Sequence, residues 1–423
     1  MNSKNKKINE SEVKEKEWDH KVLGKKLDLF TFSDTVGKGL PLWTYKGAAV
    51  RRVLERFIVD EELKRGYSHV YTPEIAKLDL YKKSGHYPYY KDSMYAPIVI
   101  EDEEYMLRPM TCPHHFELYL SKPHSYRELP IRIAELSKLF RYEKSGELMG
   151  LIRTRSFCLA DAHIIARKDQ VNSELNGVFD LIEYVSGVLG LVKDNDYHYR
   201  LSLGDRENTK KYYKDDKAWD EAEEILRSVL KGRKDKFVEA KGEAAFYGPK
   251  VDIQMINANG KEDTAFTVQY DFVFPKRFKL AYTNEKGEQE EAVVIHRSSV
   301  GAIERSIAFL IEKYKGAFPT WLAPVQVKVL ALTEKNVKYA EEIVSKLLEK
   351  GIRVEADDRN ETLQAKIRDA QMEKVPYMLI IGNKEEEAKK VAVRDRSGKD
   401  YGQVSLSEFL SKIEGEIEKK SNI

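Results

Sequence analysis

Cysteine is nearly absent. Cys112 and Cys158 are the only two in 423 residues, so no disulfide framework exists and a reducing compartment is expected. No apolar run approaches the about 18–20 residues of a membrane span. An excess of one charge is also missing. Seventy-two basic and 70 acidic side chains leave +2, so any nucleic-acid partner must meet local basic patches instead of a global positive field. The start, MNSKNKKINESEVKEKE, has no apolar core and reads as neither secretory signal nor transit peptide. A cytoplasmic protein with no membrane partner is expected. There is no Walker A sequence, no strand-led GxGxxG, no CxxC and no HExxH. P-loop, dinucleotide-fold, finger-type and zincin chemistry are thereby excluded in their usual local forms. Any site must be assembled from distant residues.

What is present suits a globular chain of two or three domains. Hydrophobic residues make up 42% and charged residues 34%. Residues 1–18 read as a charged flexible tail. Val50, Val53, Leu54, Phe57 and Ile58 fall at helix spacing, with Gly66 as the stop. The strand Ser68–Tyr71 follows, closed by Thr72-Pro73. Lys82–Tyr95, rich in aromatics and turn formers, reads as a loop carrying a surface histidine, His86. Cys112 lies between Pro109 and Pro113, on what reads as rigid irregular backbone. Val171–Leu191 and Lys217–Lys231 read as helices and Tyr197–Leu203 as a strand. A second hairpin region spans Gly242–Phe272, in which a kink at Gly248-Pro249 aims Tyr247 and Lys250. The strand Glu291–Ile295 leads to His296, and a helix opens at Gly301. The boundary is Phe318–Pro324. Beyond it, β and α elements alternate over about 100 residues, as in a compact α/β domain. The expected division is 1–18, 19–320 and 324–423. The middle part should be an α+β domain built on a mostly antiparallel sheet with flanking helices, and the last a smaller α/β domain.

The stretch Leu129–Arg167 reads as strand, glycine-bearing loop and strand. Arg153, Arg155, Phe157, Leu159, Asp161 and His163 share one parity, so an unbroken strand would place them on one face. Two guanidiniums, a carboxylate and an imidazole there call for a polyanion, a metal or water. A solvated outer face is the plain alternative. Cys112, His163 and His296 are too far apart for a finger, but folded together they would make a three-ligand zinc site with a fourth place open. Cys158 has the wrong parity for the His163 face and reads as core. Arg141, Arg153, Arg155 and Arg305 all lie near strand or helix ends beside glycine-bearing turns. Arg305, in the first turn of a helix, opposes the macrodipole, which makes sense if it reaches an anion. Guanidinium forks of this kind can hold a triphosphate without a P-loop. Glu143 shares the parity of Arg141 and could accept from an exocyclic amine.

These residues resemble the class II aminoacyl-tRNA synthetases. Phe140-Arg141-Tyr142-Glu143, the Ser145–Gly150 loop and Arg153 are similar to the second motif of that class. Gly301–Arg305 is similar to the third, and the helix ending at Gly66 with the strand closing at Pro73 to the first, which builds the dimer interface. Pro109–Pro113 (including Met110 and Cys112), Asp161–His163, Ala245–Lys250, Val294–Arg297 and Phe318–Pro324 resemble the threonyl members. The likeness runs from about Asp19 to the end.

The resemblance implies a threonine–tRNA ligase acting on ATP, L-threonine and tRNA(Thr), working as a homodimer, with one Zn²⁺ per chain and Mg²⁺ accompanying ATP. Cys112, His163 and His296 would hold zinc, which binds the amino and hydroxyl groups of threonine. Asp161 would accept from that hydroxyl, and Tyr247, Lys250 and Met110 would line the amino-acid site. Arg141 would take the α-phosphate, Glu143 the adenine amine, and Arg153 and Arg305 the outer phosphates. Gln269 would orient the reacting carboxylate, and His86 would assist transfer to the terminal adenosine. The last domain would bind the anticodon, with Arg359 as a base contact. Three departures stand out. Leu159 replaces a usual glutamine, and His114 replaces a usual glycine beside His115, which reads as a decoy ligand. Only a short tail precedes the core where bacterial members carry an editing domain, so charging with serine is expected. The competing readings are a prolyl or histidyl synthetase without the metal trio, a non-catalytic RNA-binding relative, and a zinc hydrolase. The last lacks a glutamate placed beside a ligand.

Overall fold

The computed structural model describes residues 17–257 and 260–421; most of the expected N-terminal tail lies outside them. The described chain divides into two compact units. One comprises Phe32–Pro41 and Glu55–Ala308. The other gathers the chain up to Thr31, Leu42–Leu54 and everything from Phe309 onward.

The first unit is built on an eight-stranded sheet. Its order is Phe237–Lys241, Tyr197–Leu203, Lys250–Ile256, Glu262–Asp271, Val293–Ala302, Ser156–Ala166, Ile131–Phe140 and Ser68–His69. The six middle strands pair antiparallel, and the two edge strands run parallel to their neighbours. The mostly antiparallel sheet with flanking helices agrees with the sequence. The parallel edge Phe237–Lys241 was not expected, because a short strand with a half-exposed pattern carries little periodic signal. Helix Val171–Val188 packs on Val293–Ala302 and buries Leu175, Val178, Phe179, Leu181, Ile182 and Val185. Each such side chain contributes about 1.5–3 kcal/mol when fully buried.

Two local expectations are corrected by the structure. Lys82–Tyr95 is not a plain loop. Helices Leu78–Ser84 and His86–Tyr89 and a 3₁₀ turn, Lys91–Ser93, occupy most of it, and Gly85 at φ +80° turns the chain between the helices. Its aromatics and turn formers were deceptive. Met94 is a core residue, packed with Leu78, Tyr81 and Met106, and His86 is 2% exposed instead of lying at the surface. Cys112 likewise opens a regular helix, Cys112–Leu120. Pro113 is tolerated there because the first helical turn has no intrahelical N–H bond to lose.

Two glycines let backbones meet where a side chain would collide. Gly301 has φ +75°, and a Cβ on it would stand 2.2 Å from the Ala265 carbonyl oxygen. Only glycine lets Val293–Ala302 pass Glu262–Asp271 so closely and then enter helix Ile303–Lys313. A Cβ on Gly248 would lie 1.8 Å from the Tyr270 carbonyl oxygen. Its absence presses the Ala245–Pro249 turn onto the same strand.

In the second unit a five-stranded sheet has the order Val354–Asp357, Val327–Ala331, Tyr377–Ile381, Lys390–Asp395 and Asp400–Ser405. The first three are parallel and the last two form an antiparallel hairpin. Helices Val337–Glu349 and Leu406–Lys419 cover one core with Ile343, Leu347, Phe409 and Ile413. This α/β pattern was legible almost element by element. The short helix Asn383–Ala388 was not foreseen.

Candidate active site

The strand register explains how distant residues meet. Lys250 lies opposite Gln269, Gln269 opposite His296, and His296 opposite His163. Four strands therefore place these side chains in one transverse row on one face of the sheet. Asp161, two residues before His163, shares that face. Arg297 follows His296 and points to the other face, where its guanidinium meets Glu62 at 2.5 Å. Phe157, Leu159, Asp161 and His163 do line one face of Ser156–Ala166, but that face is the floor of a cavity of about 620 Å³. The solvated-face alternative is thereby set aside. Arg153 and Arg155 precede the strand. Arg153 is at the cavity rim, whereas Arg155 is tied to the carbonyl oxygens of Glu143 and Lys38.

Helix Cys112–Leu120 brings the third group. One donor atom each from Cys112, His163 and His296 lies within 4.8 Å of the others, and all three residues are buried. The cysteine occupies the first helical turn, where the macrodipole favours a thiolate. Without a cation, burial pushes the Cys112 thiol up, with Asp161 and Asp271 adding to it. Burial pushes His163 down, and the neighbouring His296 and His115 reinforce this. Each histidine commits its other nitrogen. His296 Nε2 lies 2.8 Å from Asp271 Oδ2, and His163 Nδ1 lies 2.8 Å from Nδ1 of His115. Oriented imidazoles and a thiol converging within 4.8 Å suit a divalent ion such as zinc. His115 is therefore not a decoy ligand but contacts a member of the trio. It stands one helical turn beyond Cys112, and that i, i+3 spacing was the available signal. Asp271 had no sequence signal.

The arginine side of the cavity is equally distinct. Arg141 lines the cavity over the Phe157 ring, 5.1 Å from its centroid. Among the described residues, its guanidinium hydrogen-bonds only the Pro109 carbonyl oxygen, at 3.5 Å. Burial pulls its pKa down, and Glu143 opposes this. Arg305 reaches the cavity from the first turn of its helix and donates to the carbonyl oxygens of Ile152, at 3.0 Å, and Thr264. Burial lowers its pKa too, and the positive charge of Arg141 adds to that. Two guanidiniums held apart from carboxylates in a cleft demand an anion. Glu143 and Arg153 are paired with each other at 2.7 Å.

Asp161 and Met110 line the same cavity, and burial raises the Asp161 carboxyl. Tyr247 stacks on His296, centroid to centroid 5.0 Å, and its hydroxyl donates to Gln269. Lys250 reaches the cavity with its ammonium already on Asp252 at 2.9 Å. Burial pushes the His86 imidazole down to about 3, with the charges of His296, Arg277 and Arg141 adding to the effect. Ser84 donates its one hydroxyl proton to the Tyr81 carbonyl oxygen at 3.1 Å, so it must accept from His86 Nδ1–H at 2.7 Å. The free lone pair is then on Nε2, 3.9 Å from Cys112 Sγ. Arg359, in the second unit, does not line this cavity. Its guanidinium is bound to Asp357 at 2.6 Å and to Asp369 at 3.0 Å.

Residues 95–314 match the tRNA synthetase class II core domain (G, H, P, S and T), and residues 326–416 match the anticodon binding domain. The chain belongs to the class II aminoacyl-tRNA synthetases. It is 50% identical over 406 residues to the threonine–tRNA ligase of Geobacillus kaustophilus, covering 96% of this chain and 62% of that one. The threonine–tRNA ligase of Listeria monocytogenes is also 50% identical, over 408 residues, with 96% and 63% covered. The chain thus spans about three fifths of the length of these curated relatives. Among solved structures, the RNA binding domain of threonyl-tRNA synthetase from Cryptosporidium parvum is similar, with a TM-score of 0.88 at 36% identity. That match covers 94% of this synthetase and 98% of the other chain. No helix among the described residues is long and apolar enough to cross a membrane.

Proposed function

We propose that this synthetase activates L-threonine with ATP to threonyl-adenylate and transfers the threonyl group to the 3′ end of tRNA(Thr). The observation that carries this reading is the opening of a thiol–imidazole–imidazole trio and two carboxylate-free arginines into one cavity. The trio fits zinc, since its donors converge and each imidazole has its other nitrogen fixed. When bound, the ion supplies an electrophile that selects an amino acid carrying both an amine and a hydroxyl.

The chain's own groups do the rest. Asp161 accepts from the hydroxyl, Tyr247 and Met110 wall the amino acid, and Gln269, fixed by the Tyr247 hydroxyl, orients the carboxylate. Lys250, held by Asp252, adds a positive charge to the amino-acid side. Arg141 takes the α-phosphate and stabilises charge as the carboxylate attacks in line and pyrophosphate departs. Arg305 and Arg153 hold the outer phosphates, to which Mg²⁺ would come already bound, and Glu143 accepts from the adenine amine once its pairing with Arg153 is shared. Catalysis is then positioning plus charge stabilisation in a low-dielectric cleft. His86, with its lone pair on Nε2, assists transfer by accepting a hydrogen bond from the adenosine hydroxyl. Residues 324–423 bind the anticodon, where Arg359 would exchange an Asp369 contact for a base. A homodimer and a cytoplasmic location belong to the same reading.

ATP–pyrophosphate exchange dependent on threonine is the test. Exchange driven equally by proline or histidine, or by no amino acid, would overturn the reading. Metal analysis is expected to find one zinc per chain, lost in Cys112→Ser. His86→Ala is expected to leave exchange within a few-fold while slowing single-turnover transfer from preformed adenylate by about 10²–10⁴-fold. Equal losses in both steps would remove His86 from the transfer role.

A further inference from the structure

Behind His163 runs a line of buried polar groups with no place in the reaction so far. His115 is fully buried, as are Glu135 and Arg108. His115 Nε2 lies 3.3 Å from Glu135 Oε2. Glu135 also accepts from Arg108 at 2.9 Å and from the Thr72 hydroxyl at 2.7 Å. Arg108 is pinned in turn by the Lys138 and Thr72 carbonyl oxygens. The line Arg108–Glu135–His115–His163 therefore ends on a member of the thiol–imidazole trio.

We propose that His115 is the positioning residue of that trio: anchored by Glu135, it accepts the Nδ1 proton of His163 and so fixes the lone pair of His163 on Nε2. This rests on the metal reading of Cys112, His163 and His296. The partners set the proton count. Burial works against ionisation of Glu135, yet hydrogen bonds from His115 and Thr72 and the Arg108 charge hold its carboxyl down at about 2. An ionised carboxylate only accepts, so His115 Nε2 carries the hydrogen. His163 turns Nδ1 to His115 and keeps Nε2 for the trio, so as a metal ligand it carries its one hydrogen on Nδ1, where His115 Nδ1 accepts it. Across the 2.8 Å contact, the proton belongs to His163 Nδ1. The nitrogen left with its lone pair is Nε2, as a metal ligand requires. The result is a carboxylate–histidine–metal arrangement lengthened by one imidazole. One helix supplies both the ligand Cys112 and, a turn later, the group that orients a second ligand from the sheet.

The test uses the full chain and Zn²⁺ itself, in competition with a chromophoric chelator. His115→Ala is expected to weaken zinc binding by about 10–100-fold, with the zinc-free melting temperature monitored alongside. His115→Asn, whose Oδ1 can stand where Nδ1 stood, is expected to recover most of the affinity. Parent-like zinc binding by His115→Ala, or no recovery by His115→Asn, would overturn the proposal. Should His115→Ala fail to fold, ¹⁵N NMR of the parent's imidazoles decides without a variant. His163 in the zinc-free chain must carry its proton on Nδ1, and a proton on Nε2 sinks the idea. A parent that takes up no zinc would instead refute the metal reading, and the tautomer of His163 would still judge His115.

Discussion

Arg141→Ala is expected to lower threonine-dependent pyrophosphate exchange by about 10³-fold while leaving the melting temperature unchanged or higher. The two effects have one cause. Arg141 is a charge in a cleft with a single long hydrogen bond and, among the described residues, no carboxylate within reach of a salt bridge. Burial already pulls its pKa down, so its charge carries a desolvation cost that removing the side chain relieves. On the proposed reading, the same guanidinium would face the charge developing on the α-phosphate in the transition state. Such a donor, preorganised and poorly solvated, contributes about 3–4 kcal/mol or more. Arg141→Lys should restore only part of the rate, because an ammonium cannot form the two-pronged contact. A variant within ten-fold of the parent, or one that simply unfolds, would show that Arg141 is structural.

Valine is expected to support exchange about 10⁴-fold less well than threonine in kcat/KM, and serine only about 10–200-fold less well. Valine has the shape of threonine but no hydroxyl, so the Asp161 carboxyl and the metal face would be left unpaired in a buried place. A site built around a polar group rejects the analogue lacking it by about 10⁴–10⁵. Serine keeps the hydroxyl and lacks one methyl group, a loss of only about 1–3 kcal/mol. Given tRNA(Thr) and high serine, the 423-residue chain is therefore expected to form seryl-tRNA. Asp161→Ala should narrow the threonine–valine gap by lowering threonine activity far more than valine activity. Valine used within 10²-fold of threonine would mean that hydroxyl recognition is not what this cavity does.

Residue pattern was most informative where one periodic signal met one packing surface. Val171–Val188 and the α/β alternation after Val327 were visible because their buried faces repeat at the helix or strand period. Pattern misled where a segment is buried on an irregular plan. Lys82–Tyr95 looks like a surface loop, yet it places His86 against Cys112 because Gly85 folds one short helix onto the next. Pro113 looked like a disruption but sits in the first turn of a helix.

The order of the motifs along the chain, the nature of the donors and the one arginine set against a helix dipole, Arg305, were fixed by sequence alone, because those are properties of residue type and spacing. Which groups meet was decided by tertiary structure. A single residue of register separates His163 opposite His296 from two histidines on opposite faces. Nothing local in the chain encodes that alignment, nor the pairing of His115 with Glu135. Both depend on strands and a helix far apart in sequence finding one buried arrangement.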